Sequence, residues 1–185
     1  MPTKPGNSDN GANAKKGDVV RIEYFYLDAS VCERCKSTAS VLDAALMDLK
    51  PVLEGMGKSV RLEKIHIRSE EDAKKYKFMS SPTVRINGQD AVEKVEENEC
   101  GDCGCICDGK VHCRTWSWQN KTYEVPPKGL IIDAVLRAVY TKPAANSGQY
   151  ALPENLKSFF AGVKSKTTEV CAVANINFPY RTPYL

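Results

Sequence analysis

Two groups of cysteines carry the reactive side chains of this chain. The first is Cys32 and Cys35 in "DASVCERCKST", a C-x-x-C pair. The second is "CGDCGCICDGKVHC", where Cys100, Cys103, Cys105, Cys107 and Cys113 form a C-x2-C-x-C-x-C-x5-C array with His112 beside the last. Thiolates attack disulfides, form cross-links and bind soft metals, so redox chemistry, a metal centre and structural bridges are all open.

The crowding of the second group suits Zn²⁺ or Cu⁺. Its spacing matches neither a standard zinc finger nor a ferredoxin cluster run. Three glycines and two aspartates between Cys100 and Cys113 make the segment pliable enough to wrap an ion. C-x-C pairs bridge each other poorly but chelate well. The rival readings are disulfides within the loop and an electron relay to Cys32/Cys35. Five cysteines cannot all pair without Cys171, which otherwise reads as a plain thiol. His112 has some claim as a ligand; His66, in "KIHI", reads as a core or edge histidine.

The elements that must position these groups follow from periodicity. "VVRIEYFYLDA" (19–29) is rich in β-branched and aromatic residues and predicts a strand covered on both faces. After the C-x-x-C, Val41, Leu42, Ala45, Leu46, Leu49, Val52 and Leu53 recur at helical spacing, with Pro51 expected to kink that helix or begin a second one. "SVRLEKIHI" (59–67) predicts a strand whose phase slips between Leu62 and Ile65, as at a bulge or in a two-faced environment. Ser69 and Asp72 mark the start of a short helix. "SSPTVRINGQDAVEKVE" predicts two strands joined at Asn87-Gly88.

A loop from about Glu97 to Cys113 precedes a second hairpin, "RTWSWQNKTYEV", with Trp116 and Trp118 on one face. These tryptophans either pack the hairpin or cover the cysteine loop. Pro126 and Pro127 start a helix with Leu130, Ile131, Ala134, Val135 and Ala138 on its apolar side. "LPENLKSFFAG" predicts a docking helix that buries Phe159 and Phe160.

Cys32 thus falls at a helix N-terminus, where unpaired amides and the macrodipole stabilise a thiolate. Cys35 lies one turn on, placed to resolve a mixed disulfide. Arg34 favours ionisation of Cys32 and Glu33 opposes it.

The bulk properties exclude several classes. The 185 residues carry a net charge of +3 with scattered basic residues, which argues against nucleic acid as a partner. No run approaches the roughly 20 apolar residues of a membrane span. Residues 1–18 lack the apolar core of a secretory signal and read as a disordered tail. A cytoplasmic setting follows as the expectation. There, eight cysteines are more often catalytic or metal-binding than cross-linked.

The order strand, "CERC", helix, strand, helix, "SSPTVRING", hairpin and final helix resembles the thioredoxin-like superfamily over residues 19–140. The resemblance implies an α/β fold with a central mixed sheet flanked by helices. To this the chain adds a Cys-rich insertion at about 97–113 and an extension at 141–185. It also implies that Pro82 is cis, faces the C-x-x-C and helps bind extended thiol substrates. Glu33-Arg34 replaces the Gly-Pro of ordinary thioredoxins, and the Cys-rich insert is absent from them. Together with "CRTWSW", "PPKGLIIDAVLRAVY" and "LPENLKSFF", these features look like an uncharacterised thioredoxin-like family of bacteria and archaea.

The leading expectation is a thiol–disulfide oxidoreductase with Cys32 attacking, Cys35 resolving and Pro82 shaping the groove. Its partners would be protein or small-molecule disulfides, or soft-metal or metalloid adducts. The alternative is a soft-metal or metalloid binding protein in which the five loop cysteines hold zinc or another soft ion as cofactor, and Cys32 and Cys35 join the site or regenerate it. A third reading is a zinc-stapled interaction module without catalysis.

Overall fold

The computed structural model describes residues 19–102, 111–141 and 149–166. The expected tail (1–18) and Cys103, Cys105, Cys107 and Cys171 lie outside the described residues. The architecture is mixed α/β. A four-stranded sheet is built from β1 (Val19–Tyr26), β2 (Ser59–His66), β3 (Thr83–Ile86) and β4 (Gln89–Asp90), in the order β2-β1-β3-β4. β1 runs parallel to β2 and antiparallel to β3.

Side chains alternate along a strand, and β1 uses both of its faces. Val20, Ile22 and Tyr24 join α1 (Glu33–Gly55) and α3 (Lys128–Tyr140) in one buried cluster. Phe25 and Leu27 join a second cluster with α2 (Glu70–Lys75) and α4 (Glu154–Lys166). The four cysteines of the described residues all belong to this second cluster.

Several local expectations hold. Ser69 Oγ accepts from the Asp72 amide at 3.2 Å and caps α2. Asn87 and Gly88 take φ values of 52° and 83°, the left-handed pair that a tight hairpin needs. Phe159 and Phe160 are buried by α4. Two open alternatives are narrowed. No second helix begins at Pro51: α1 continues through it, and proline stands on the outer face beside exposed Met47 and Val52, where water can serve the unbonded carbonyl. β2 has no bulge: its register with β1 is continuous from Val19↔Ser59 to Tyr26↔His66, so its mixed pattern reflects two partly covered faces.

The insertion is more than a loop on one central sheet. β5 (Glu96–Glu99), β6 (His112–Trp118) and β7 (Lys121–Tyr123) form a separate antiparallel sheet. Backbone pairing thus claims both ends of the segment expected as loop. Trp116 and Trp118 pack into the first cluster, whereas the four described cysteines lie in the second, so among the described residues they serve the hairpin. Trp118 also explains the glycine of "PPKG": a Cβ on Gly129 would come within 2.6 Å of Trp118 Cη2. Among the described residues, no helix is long and apolar enough to cross a membrane.

Candidate functional site: a buried thiol cluster

The segment "LDASVC" delivers Cys32 to the start of α1. Asp28 Oδ1 accepts from the Ser30 and Val31 amides at 2.7 and 3.2 Å, folding a local turn. The Asp28 carbonyl then accepts from the Cys32 amide at 3.3 Å, and Cys32 stands at the N-cap in extended conformation. The first helical amide, that of Glu33, donates to Asp102 Oδ2 at 2.8 Å. A carboxylate from the far side of Cys100 therefore caps this helix, taking one of the amides expected to favour a Cys32 thiolate.

The β5–β6 ladder closes the ends of the second cysteine group. Glu99 pairs with His112 and Asn98 with Cys113, and the Cys100 amide donates to the Val111 carbonyl at 2.9 Å. Cys100 and Cys113 are thereby held side by side. The same ladder is fastened to α1 by Arg34, whose guanidinium donates to the Asn98 side chain, to the Glu99 carbonyl at 3.1 Å and to Glu124. Arg34 thus acts as a strut, its charge already met by Glu124. Glu33 is exposed and accepts from Ser37. α4 contributes Asn155, which exchanges two hydrogen bonds with the His112 backbone at 3.0 and 2.7 Å, as a neighbouring strand would.

These supports bring Cys32 and Cys100 sulfurs to 4.0 Å, about twice the length of a disulfide bond. With Cys113 they form a trio in which all sulfurs lie within 4.8 Å of one another and each residue is buried. The trio is close enough to hold one metal ion between its sulfurs. His112 is exposed and stands outside it, and His66 bonds the Leu27 carbonyl at 2.7 Å.

Cys35 completes the centre from one turn further on. Its sulfur lies 3.5 Å from Ser81 Oγ, and its carbonyl accepts from the Tyr24 hydroxyl at 2.6 Å. The hydrogen bond to Cys32, then burial, then the nearby Cys32 charge push the Cys35 thiol well above its ordinary range. Burial foremost, with the charges of Cys35 and Cys32, does the same to Tyr24. Both groups keep their protons in the folded state beyond the pH at which the unfolded chain releases them. Their contribution is present at neutral pH and is lost as pH rises: stability is expected to fall from about pH 9 upward, where unfolded cysteine ionises. Urea unfolding on either side of that pH measures the slope, and a Cys35→Ser variant with an unchanged slope would assign it elsewhere.

Ser81 is the junction that the residue types did not reveal. Its hydroxyl accepts from the Leu27 amide at 3.2 Å and contacts Cys35, while its carbonyl accepts from the Arg114 amide at 2.7 Å. The Ser81–Pro82 peptide is cis and Pro82 is buried. Arg114 is itself buried, bound through both terminal nitrogens to Asp90 at 2.9 and 2.8 Å and to Thr83 Oγ1 at 2.7 Å. A charged residue at a strand position next to Trp116 was the available signal. Of the sites expected from sequence, Cys32, Cys35, Cys100 and Cys113 converge, whereas Cys103, Cys105 and Cys107 are outside the described residues.

A family model described as a domain of unknown function, DUF2703, matches residues 20–135, well over half the chain. No curated protein and no solved structure matches. The matched span holds all four converging cysteines and stops short of α4, which packs in the same cluster. The chain belongs to the DUF2703 family, and its buried thiol cluster lies within the family's domain.

Proposed function

We propose that this protein binds a soft, thiophilic ion through Cys32, Cys100 and Cys113 on a thioredoxin-like scaffold. One observation carries the reading: three sulfurs, each buried, lie within 4.8 Å of one another. Soft thiolate donors select soft ions. The thioredoxin-like assignment draws support from the order of β1, "CERC", α1, β2, α2 and β3, and from the cis peptide before Pro82.

Burial weighs against the oxidoreductase as the leading reading. Cys32 has no exposed surface, and the segment beside Pro82 is bonded by the chain's own β6 through Arg114 and Ser81. Among the described residues, the chain's own β6 thus occupies the backbone that an extended disulfide substrate would pair with. Thiol–disulfide exchange stays as the second reading, favoured by Cys32 at the N-cap with Cys35 one turn on against Ser81. Exchange needs Cys35 to release the mixed disulfide, so a Cys35→Ser variant would trap one. Ion binding alone predicts no such trap.

The test is titration of the reduced, metal-free full chain with Zn²⁺, Cu⁺ and arsenite separately. At least one is expected to bind at one equivalent per chain. A Cys100→Ser variant should weaken it by more than the roughly 10–100-fold that loss of an outer-shell partner costs. Uptake of none of the three, or uptake that survives the substitution unchanged, sinks the reading.

A further inference from the structure

β2 is an outer strand of the order β2-β1-β3-β4, and among the described residues no other strand lies beyond it. Successive residues of a strand turn their N–H and C=O groups to opposite sides. The Ile67 amide, at the end of β2, donates to the Tyr26 carbonyl of β1 at 2.9 Å, so the odd-numbered residues of β2 face β1. Val60, Leu62 and Lys64 therefore direct their backbone groups outward. Such an edge is a template for another strand. Beside it lies a groove of about 450 Å³ between α1 and β2. Leu46, Met47, Val60 and Leu62 supply its apolar lining, and Met47 is 77 % exposed. Arg61, which is exposed, and Glu63, which is partly so, project from the opposite face of the strand.

The charges of β2 are complementary to those of β2 itself. Two copies related by a two-fold axis run antiparallel, and their outward backbone groups must face one another, so the allowed registers differ by two residues. With Leu62 opposite its own copy, Arg61 faces Glu63 of the second copy and Glu63 faces its Arg61. Val60 and Lys64 then exchange backbone hydrogen bonds, as do the two Leu62 residues. A two-residue shift one way sets Arg61 against Arg61, and the other way sets Glu63 against Glu63. Opposite charges across a strand pair stabilise it, and like charges directly opposite destabilise it. Charges that ordinarily blunt an edge strand thus select one register here. The axis passes through Leu62, so the two grooves meet on the α1 face.

We infer that the β2 edge is a homodimer interface, in which β2 pairs antiparallel with β2 of a second copy, centred on Leu62. The far edge of the same sheet is β4, of only 2 residues, so pairing closes at two copies instead of propagating.

The experiment is sedimentation velocity of the reduced full chain from micromolar to millimolar concentration. A monomer–dimer equilibrium is expected. Arg61→Glu and Glu63→Arg should each weaken the dimer by about tenfold or more, because the two-fold presents every like-charged pair twice. The Arg61→Glu/Glu63→Arg double variant exchanges the charges and should restore association. A chain that is monomeric throughout, as when another of its own segments covers the edge, overturns the interface. A dimer indifferent to both single changes overturns its location on β2. Single variants that dissociate, with a double variant that stays dissociated, overturn the register.

Discussion

An Asp90→Ala variant is expected to lose about 3–5 kcal/mol of stability, the usual result of stranding one member of a buried ion pair. Arg114 has no exposed surface, and its carboxylate partner is Asp90, bound in a two-pronged fork. Removing the carboxylate leaves a guanidinium that cannot reach water. The reverse change is milder. In Arg114→Met the side chain fills similar volume, and Asp90, whose side chain is partly exposed, can be hydrated. An Asp90→Ala/Arg114→Met double variant should therefore recover much of what Asp90→Ala loses. Urea unfolding midpoints at constant slope decide it. A loss under about 1 kcal/mol for Asp90→Ala would show that the fork is not holding a buried charge.

The second large effect is at the cover of the thiol cluster. Phe160→Ala should destabilise the protein by roughly 3–5 kcal/mol, as expected of a buried phenylalanine truncated in a packed core. Phe160 shares its cluster with Leu156, Phe159 and the four cysteines. The loss should thus be accompanied by faster alkylation of Cys32 and Cys100 by a small reagent such as iodoacetamide. Paired measurement matters here. Destabilisation with unchanged alkylation would mean that α4 stabilises the fold without shielding the sulfurs.

What could be read from residues alone divides along sequence distance. β1, α1, the Asn87-Gly88 hairpin and α4 were legible because their signals are periodic or local. So was Cys32 at a helix start. The meeting of Cys32 with Cys100 was not, because it spans 68 positions and depends on Arg34 reaching across to Asn98 and Glu99. Arg34 was legible as a charge beside Cys32, yet its chemistry goes into bracing a strand. Arg114 and Asp90 escaped notice because an ion pair between separate sheets leaves no spacing pattern. At Pro51 the residue type left a kink and a second helix both open, and the helix continues where the orphaned carbonyl faces water.

Asp102 gives the cluster a property beyond position. Its carboxylate and a Cys32 thiolate are rival anions for one partial positive charge, the open end of α1. Occupancy by one raises the free energy of the other, and the penalty is the same in both directions. Whatever draws Asp102 away eases ionisation of Cys32, and whatever ionises Cys32 loosens Asp102. Departure of the cap and awakening of the thiol are two readings of a single equilibrium.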